Sequence, residues 1–149
     1  MKILICYVDG ACQGNGTNHS KGGYGVVILD DNENLINYYQ HFEDNTTNNR
    51  QEMKAILYCL VNFGNKGFAL NVYSDSAYAI NTFTSWMYGW ERNGWLKANG
   101  LPPENLDLIK AYYNLTQYGY KINLIKVAGH SGNKWNELAD DLATGRKKI

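Results

Sequence analysis

The stretch Ile3-Leu4-Ile5-Cys6-Tyr7-Val8-Asp9-Gly10 decides the fold. From Ile3 to Val8 it is almost continuously apolar and rich in β-branched side chains, the pattern of a central strand buried on both faces, and Asp9-Gly10 closes it. Beyond the turn-forming residues Gly14 to Asn18, the segment Gly22 to Leu29 reads as a second strand. Asp30-Asp31-Asn32-Glu33 then reads as a tight turn and Leu35 to Phe42 as a third strand, so these three form an antiparallel meander.

Further out the period changes. Asn49 to Phe63 sets Met53, Ile56, Leu57, Leu60 and Val61 on one helical stripe, with Gly64 where such a helix stops. Leu70 to Ser74 is a fourth strand ending at Asp75. A helix follows from about Ser76, carrying Tyr78, Ile80, Phe83 and Trp86, and the alternation of strand and helix points to parallel pairing. Tyr88 to Leu101 is rich in Gly, Trp and Asn. Pro102-Pro103 opens a helix running to about Gln117, and Lys121 to Val127 is a fifth strand. Gly129-His130-Ser131-Gly132 leads into a last helix with Trp135, Leu138, Ala139 and Leu142 on one face. The expected architecture is α/β: one domain over residues 1–149, with a five-stranded mixed sheet, three strands antiparallel and two parallel, covered by helices.

A chain of 149 residues with 44% hydrophobic and 19% charged residues is suited to a single core. Its apolar N-terminus is too short for a secretory signal and no stretch approaches a membrane span, so a cytoplasmic protein without membrane contact is expected. Cys6, Cys12 and Cys59 are an odd number at spacings that match neither a zinc site nor a disulfide framework, which suits a reducing compartment. Fourteen basic residues balance fourteen acidic ones, so no global positive field announces a polyanionic partner.

Chemistry is concentrated in the acids. Asp9 and Asp75 each end an apolar strand, and if those strands are parallel neighbours both carboxylates emerge at the same carboxyl edge of the sheet, where open α/β sheets bind ligands. Singly, Asp-Gly is also a turn and Asp75 before Ser-Ala-Tyr is also a helix cap. Glu52 has two readings as well: Asn49-Arg50-Gln51-Glu52 has the spacing of a capping box, and Glu52 also flanks the apolar stripe in the first turn, from which it can point toward Asp9. Asp140 lies off the apolar face of its helix beside a chemically identical Asp141. Hard divalent ions take oxygen ligands, and a two-metal phosphodiesterase needs several carboxylates to hold ions roughly 4 Å apart. Such a cluster repels itself and persists only with cations or protons.

Four segments in order carry a family resemblance. Tyr7-Val8-Asp9-Gly10-Ala11-Cys12 with Gly22-Gly23-Tyr24-Gly25, Thr46-Thr47-Asn48-Asn49-Arg50-Gln51-Glu52, Tyr73-Ser74-Asp75-Ser76, and Gly129-His130-Ser131-Gly132 with Asn136-Glu137 and Ala139-Asp140 resemble the motifs of type I ribonuclease H. The resemblance covers nearly the whole chain and assigns the last acid to Asp140 over Asp141. It implies a ribonuclease H-like fold and hydrolysis of the RNA strand of RNA-DNA hybrids, leaving 5′-phosphate and 3′-hydroxyl ends. The implied cofactors are two Mg2+ ions, with Mn2+ as a possible substitute, on Asp9, Glu52, Asp75 and Asp140. His130 is implied to shuttle a proton or help product leave, a role that suits an imidazole in a Gly-rich loop.

For the substrate, the resemblance implies that Asn15, Asn48 and Asn49 read the groove, where 2′-hydroxyls distinguish RNA from DNA. Thr47 and Asn105 resemble a pocket gripping a phosphate of the DNA strand, and Trp86, Trp90 and Trp95 the aromatic residues of a substrate-handling protrusion. Thr47 and Asn49 equally suit turn or cap roles, and the i, i+4 pair Trp86 and Trp90 equally suits helix packing. From Trp86 to Gly100 only Arg92 and Lys97 stand against Glu91, so a weakly basic protrusion and modest hybrid affinity are expected of a monomer. A non-catalytic nucleic-acid-binding module is the competing class, and the intact set of four acids speaks against it.

Overall fold

The computed structural model describes residues 2–15, 17–129 and 132–148. Its sheet contains β1 (Lys2–Gln13), β2 (Lys21–Leu29), β3 (Leu35–Asp44), β4 (Phe68–Ser74) and β5 (Ile122–Lys126) in the order β3-β2-β1-β4-β5. β1 pairs antiparallel with β2 and β2 with β3, whereas β1 with β4 and β4 with β5 are parallel. The α/β class, the five strands and both kinds of pairing agree with the hydrophobic pattern.

β1 is the central strand that its run of apolar residues predicts. Its alternate residues divide between two cores: Leu4, Cys6 and Val8 join Met53, Ile56 and Leu60 of α1 (Asn48–Phe63), and Ile5 and Tyr7 join Ala139 and Leu142 of α5 (Lys134–Thr144). Each fully buried aliphatic side chain contributes about 1.5–3 kcal/mol over its exposed state, which fixes both helices against the strand that carries Asp9. On the α1 side, α4 (Leu106–Gln117) adds Ile109 and Tyr112. α5 lies so close to β2 that a Cβ on Gly25 would stand 2.4 Å from the Ala139 carbonyl oxygen. Only glycine allows that approach, and Asp140 follows Ala139 directly.

Three boundaries differ from the sequence-based expectation. β1 does not close at Asp9 but continues to Gln13, because its ladder with β2 runs on to Gln13 opposite Lys21 after pairing with β4 has ended at Tyr7 opposite Tyr73. The helix expected from about Ser76 is a helical run of α2 (Ala77–Asn81), a π-helical turn (Thr82–Trp86) and α3 (Met87–Arg92), with Ser76 as its cap. Pro102-Pro103 does not begin α4, which starts at Leu106. Asn105 just ahead of it has a left-handed backbone at φ 61°, and proline disfavours helical backbone in the residue it follows.

Candidate active site at the carboxyl edge of the sheet

Parallel register brings the first two acids together. Tyr7 and Tyr73 are the last paired residues of β1 and β4, and their rings stack with centroids 4.7 Å apart. Asp9 and Asp75 lie two residues beyond each, so the ladder delivers both to one edge. Asp9 is buried and Asp75 half-buried. Glu52, buried in α1, completes the group: one carboxylate oxygen from each of Asp9, Glu52 and Asp75 falls within 4.8 Å of the others.

Backbone contact between β1 and α1 makes this possible. The Gly10 amide donates to Glu52 Oε1 at 2.9 Å and to Asp9 Oδ1 at 3.0 Å. A Cβ on Gly10 would stand 2.4 Å from the Glu52 nitrogen and 2.7 Å from the Gln51 carbonyl carbon, so any larger residue pushes α1 off the strand. The capping-box alternative for Glu52 does not hold. The cap of α1 is Thr47, whose Oγ1 accepts from the Arg50 amide at 3.1 Å, and Asn48 and Asn49 already lie inside the helix. Glu52 is therefore free to face β1.

Electrostatics make the group costly without a cation. Burial, and next the charge of Glu52, push the Asp9 carboxyl up to about 11, while burial foremost, with the charges of Asp75 and Asp140, raises Glu52 to about 7. Hydrogen bonds from Asp9 and the Gly10 amide oppose the rise at Glu52 without cancelling it. Glu52 Oε2 is buried without a hydrogen-bond partner among the described residues, an acceptor of the kind a cation satisfies. An all-oxygen set of clustered carboxylates suits a hard divalent ion. The residues present fit such an ion.

Asp140 stands beside this trio. It is not one of the carboxylates that close to within 4.8 Å, but it helps to raise the Asp9 carboxyl and its charge raises Glu52, while its Oδ2 accepts from the Arg146 guanidinium. Asp141, more exposed than Asp140, accepts from Arg146 Nε at 2.9 Å. Spacing alone could not separate the two aspartates; here it is Asp140 that acts on the buried acids.

The substrate candidates fall into two groups along the same edge. Asn15 Oδ1 accepts from the Asn48 amide at 2.6 Å, uniting two of the three groove candidates, and Asn49 is half-buried next to them. Asn105 Oδ1 accepts from Arg50 Nη1 at 3.1 Å and its Nδ2 donates to the Tyr78 hydroxyl at 3.2 Å. Tyr78 meets Trp86 edge-on with centroids 6.1 Å apart, and Trp86 meets Trp90 at 6.2 Å. Trp86 is exposed, whereas Trp90 and Trp95 pack against the core. His130 lies outside the described residues; its neighbour Gly129 sits so close to Asp75 that a Cβ there would stand 2.8 Å from Oδ2.

Two residues escaped the sequence reading. Arg50 joins Thr47 at the cap and forks onto Asp107 at 3.0 and 2.9 Å, tying the start of α1 to the start of α4. Arg146 reaches back to α5. The signal for Arg146 was a glycine ending a helix with a basic residue directly after it; for Arg50, a partner 57 residues away leaves none.

Comparison with known proteins gives one consistent answer. The family model for RNase H matches residues 1–147. Ribonuclease H of Thermoanaerobacter sp. (strain X514) is 41% identical over 147 residues, covering 98% of this chain and 90% of the relative. Ribonuclease H of Caldanaerobacter subterraneus subsp. tengcongensis is 40% identical over 148 residues, covering 99% and 92%. Among solved structures, LC9-RNase H1, a type 1 RNase H with the type 2 active-site motif, superposes with a TM-score of 0.84 at 28% identity, covering 97% of this chain and 72% of that one. With its mixed sheet, its carboxylate trio where β1, β4 and α1 meet and a family match over nearly its full length, the chain belongs to the ribonuclease H family.

Proposed function

We propose that the chain is an endoribonuclease acting on RNA-DNA hybrids, in which Asp9, Glu52, Asp75 and Asp140 hold two Mg2+ ions, replaceable by Mn2+, and the RNA strand is cut to 5′-phosphate and 3′-hydroxyl ends. It acts as a single-domain monomer in the cytoplasm. The observation that carries the proposal is the approach of three carboxylates to within 4.8 Å, two of them buried, in a chain of this family. No helix among the described residues is long and apolar enough to cross a membrane.

When bound, the ions supply activation of water for in-line attack at phosphorus and stabilisation of the leaving 3′ oxygen. The protein supplies position. Gly10 anchors Glu52 Oε1, which leaves Oε2 as the unsatisfied acceptor. Asn15 and Asn48, already hydrogen-bonded to each other, present polar groups for 2′-hydroxyls, with Asn49 next in the chain. Thr47 and Asn105, bridged by Arg50, grip a phosphate of the DNA strand, and Trp86, with Trp90 behind it, packs on sugar. His130 takes or delivers a proton as product leaves.

Incubation of the protein with labelled RNA-DNA hybrid, RNA duplex and DNA duplex, with Mg2+ and with chelator, tests this directly. Cleavage restricted to the RNA strand of the hybrid, lost with chelator and in Asp75→Asn, is the expected result. Undiminished cleavage by Asp75→Asn would overturn it.

A further inference from the structure

Among the described residues, the ion pairs are Arg50 with Asp107, Lys54 with Glu43, and Arg146 with Asp140 and Asp141. Among the described residues, Asp140 is the one of the four proposed acids that a cation of the chain holds. Arg146 follows Gly145, which ends α5 with a left-handed backbone at φ 79° and turns the chain back toward the helix. That turn has its own supports. The Lys147 amide donates to the Asp141 carbonyl at 3.1 Å, and Gln40 Nε2 donates to the carbonyls of Leu142 at 3.0 Å and Lys147 at 2.9 Å. The guanidinium is thus delivered by the backbone and spans two neighbouring carboxylates, Nη2 on Asp140 and Nε on Asp141, a match that suits the planar fork of arginine.

The local charge balance changes sign with metal. Without ions, the three clustered carboxylates with Asp140 beside them favour any cation at hand, and Arg146 neutralises Asp140. With divalent ions in place, the Asp140 oxygens are wanted as ligands and a guanidinium beside them is repelled. We infer that Arg146 is an internal counter-ion that competes with divalent metal for Asp140. It is docked on Asp140 when metal is absent and withdraws to Asp141 alone when metal binds. Asp141 keeps the guanidinium within reach, so the exchange is reversible and local. Arg146 acts through Asp140 and is a positioning residue. The inference rests on Asp140 being a metal ligand, as proposed above.

Calorimetric titration of Mn2+ into the full chain, free of nucleic acid and at low salt, tests it. Arg146→Gln binds Mn2+ more tightly than wild type by roughly two- to fivefold, the range expected for losing a partly exposed competing pair. Arg146→Lys falls between, since it keeps the charge and loses the fork. The gap narrows at high salt, where exposed charges are screened, and it vanishes when Asp140→Asn is introduced into both proteins. Equal affinity of Arg146→Gln and wild type overturns the inference. So does a gain that persists with Asp140→Asn, because that would be a general effect of removing positive charge. A wild-type chain that takes up no Mn2+ fails the proposed function itself, and this inference with it.

Discussion

The Gly10 amide donates to Glu52 Oε1 at 2.9 Å across 42 residues of sequence, and this bond ties the central strand to the first turns of α1. Beside it the Asp9 carboxylate accepts from the same amide at 3.0 Å. One backbone N–H therefore sets the spacing of two acids whose mutual repulsion would drive them apart.

Gly10→Ala removes the space on which that spacing depends, since the new methyl would stand 2.4 Å from the Glu52 nitrogen. Overpacking of this kind costs about 1–3 kcal/mol. Urea unfolding is expected to show that loss. Hybrid cleavage at saturating Mg2+ falls at least tenfold at a temperature where the variant is still folded, because α1 and Glu52 move together.

The metal-free protein loses stability as pH rises. Asp9 and Glu52 bind protons more tightly in the folded chain, at about 11 and about 7, than ordinary carboxyls near 4 do in the unfolded one. Their contribution is fully present below about pH 4 and is lost as pH climbs through the folded values. For Glu52 the loss is on the order of 3 kcal/mol by pH 8. Thermal melts in chelator from pH 5 to pH 8 should show a falling midpoint, with a shallower fall in Asp9→Asn. Mn2+ reverses the trend in wild type, because ligands must be deprotonated to bind.

Thr47→Ala deletes the cap of α1, in which Oγ1 accepts from the Arg50 amide at 3.1 Å. The expected cost is about 1 kcal/mol, a shift of roughly 2–4 °C in Tm. Thr47→Ser keeps the oxygen and should restore both the Tm and, if Thr47 grips a phosphate, the KM for hybrid. A Ser variant with normal Tm and raised KM would show that the hydroxyl alone does not set the affinity for hybrid.

Trp86 and Trp95 should separate binding from stability. Trp86 is 43% exposed beside Tyr78 and Trp90, so Trp86→Ala is expected to raise KM for hybrid several-fold with little change in unfolding. Trp95 packs edge-on against Tyr113 at 5.3 Å, with Lys110 Nζ over its ring at 5.8 Å, and Trp95→Ala should cost on the order of 2 kcal/mol in stability. Steady-state kinetics and denaturant unfolding on the two variants test the split.

Much of the fold was legible because hydrophobic period is a local property. The unbroken run from Ile3 to Val8 announced a strand with cores on both sides, and Leu4, Cys6 and Val8 do face one core while Ile5 and Tyr7 face the other. Boundaries were less legible where a neighbour sets them. β1 outruns Asp9 because β2 continues beside it, and α4 begins late because Asn105 adopts a left-handed backbone.

The order of elements was determined by sequence alone, since residue type and spacing carry it, and motif order singled out Asp9, Glu52, Asp75 and Asp140 as candidates. What only the tertiary structure decided was which groups meet. Thr47 rather than Asn49 caps α1, Glu52 faces Gly10, and Arg146 returns to hold Asp140. The physical reason is common to these contacts: a carboxylate's partner is chosen by packing distance and the surrounding field. Those are set when β1, α1 and α5 close on one another, not by the residues on either side of it in the chain.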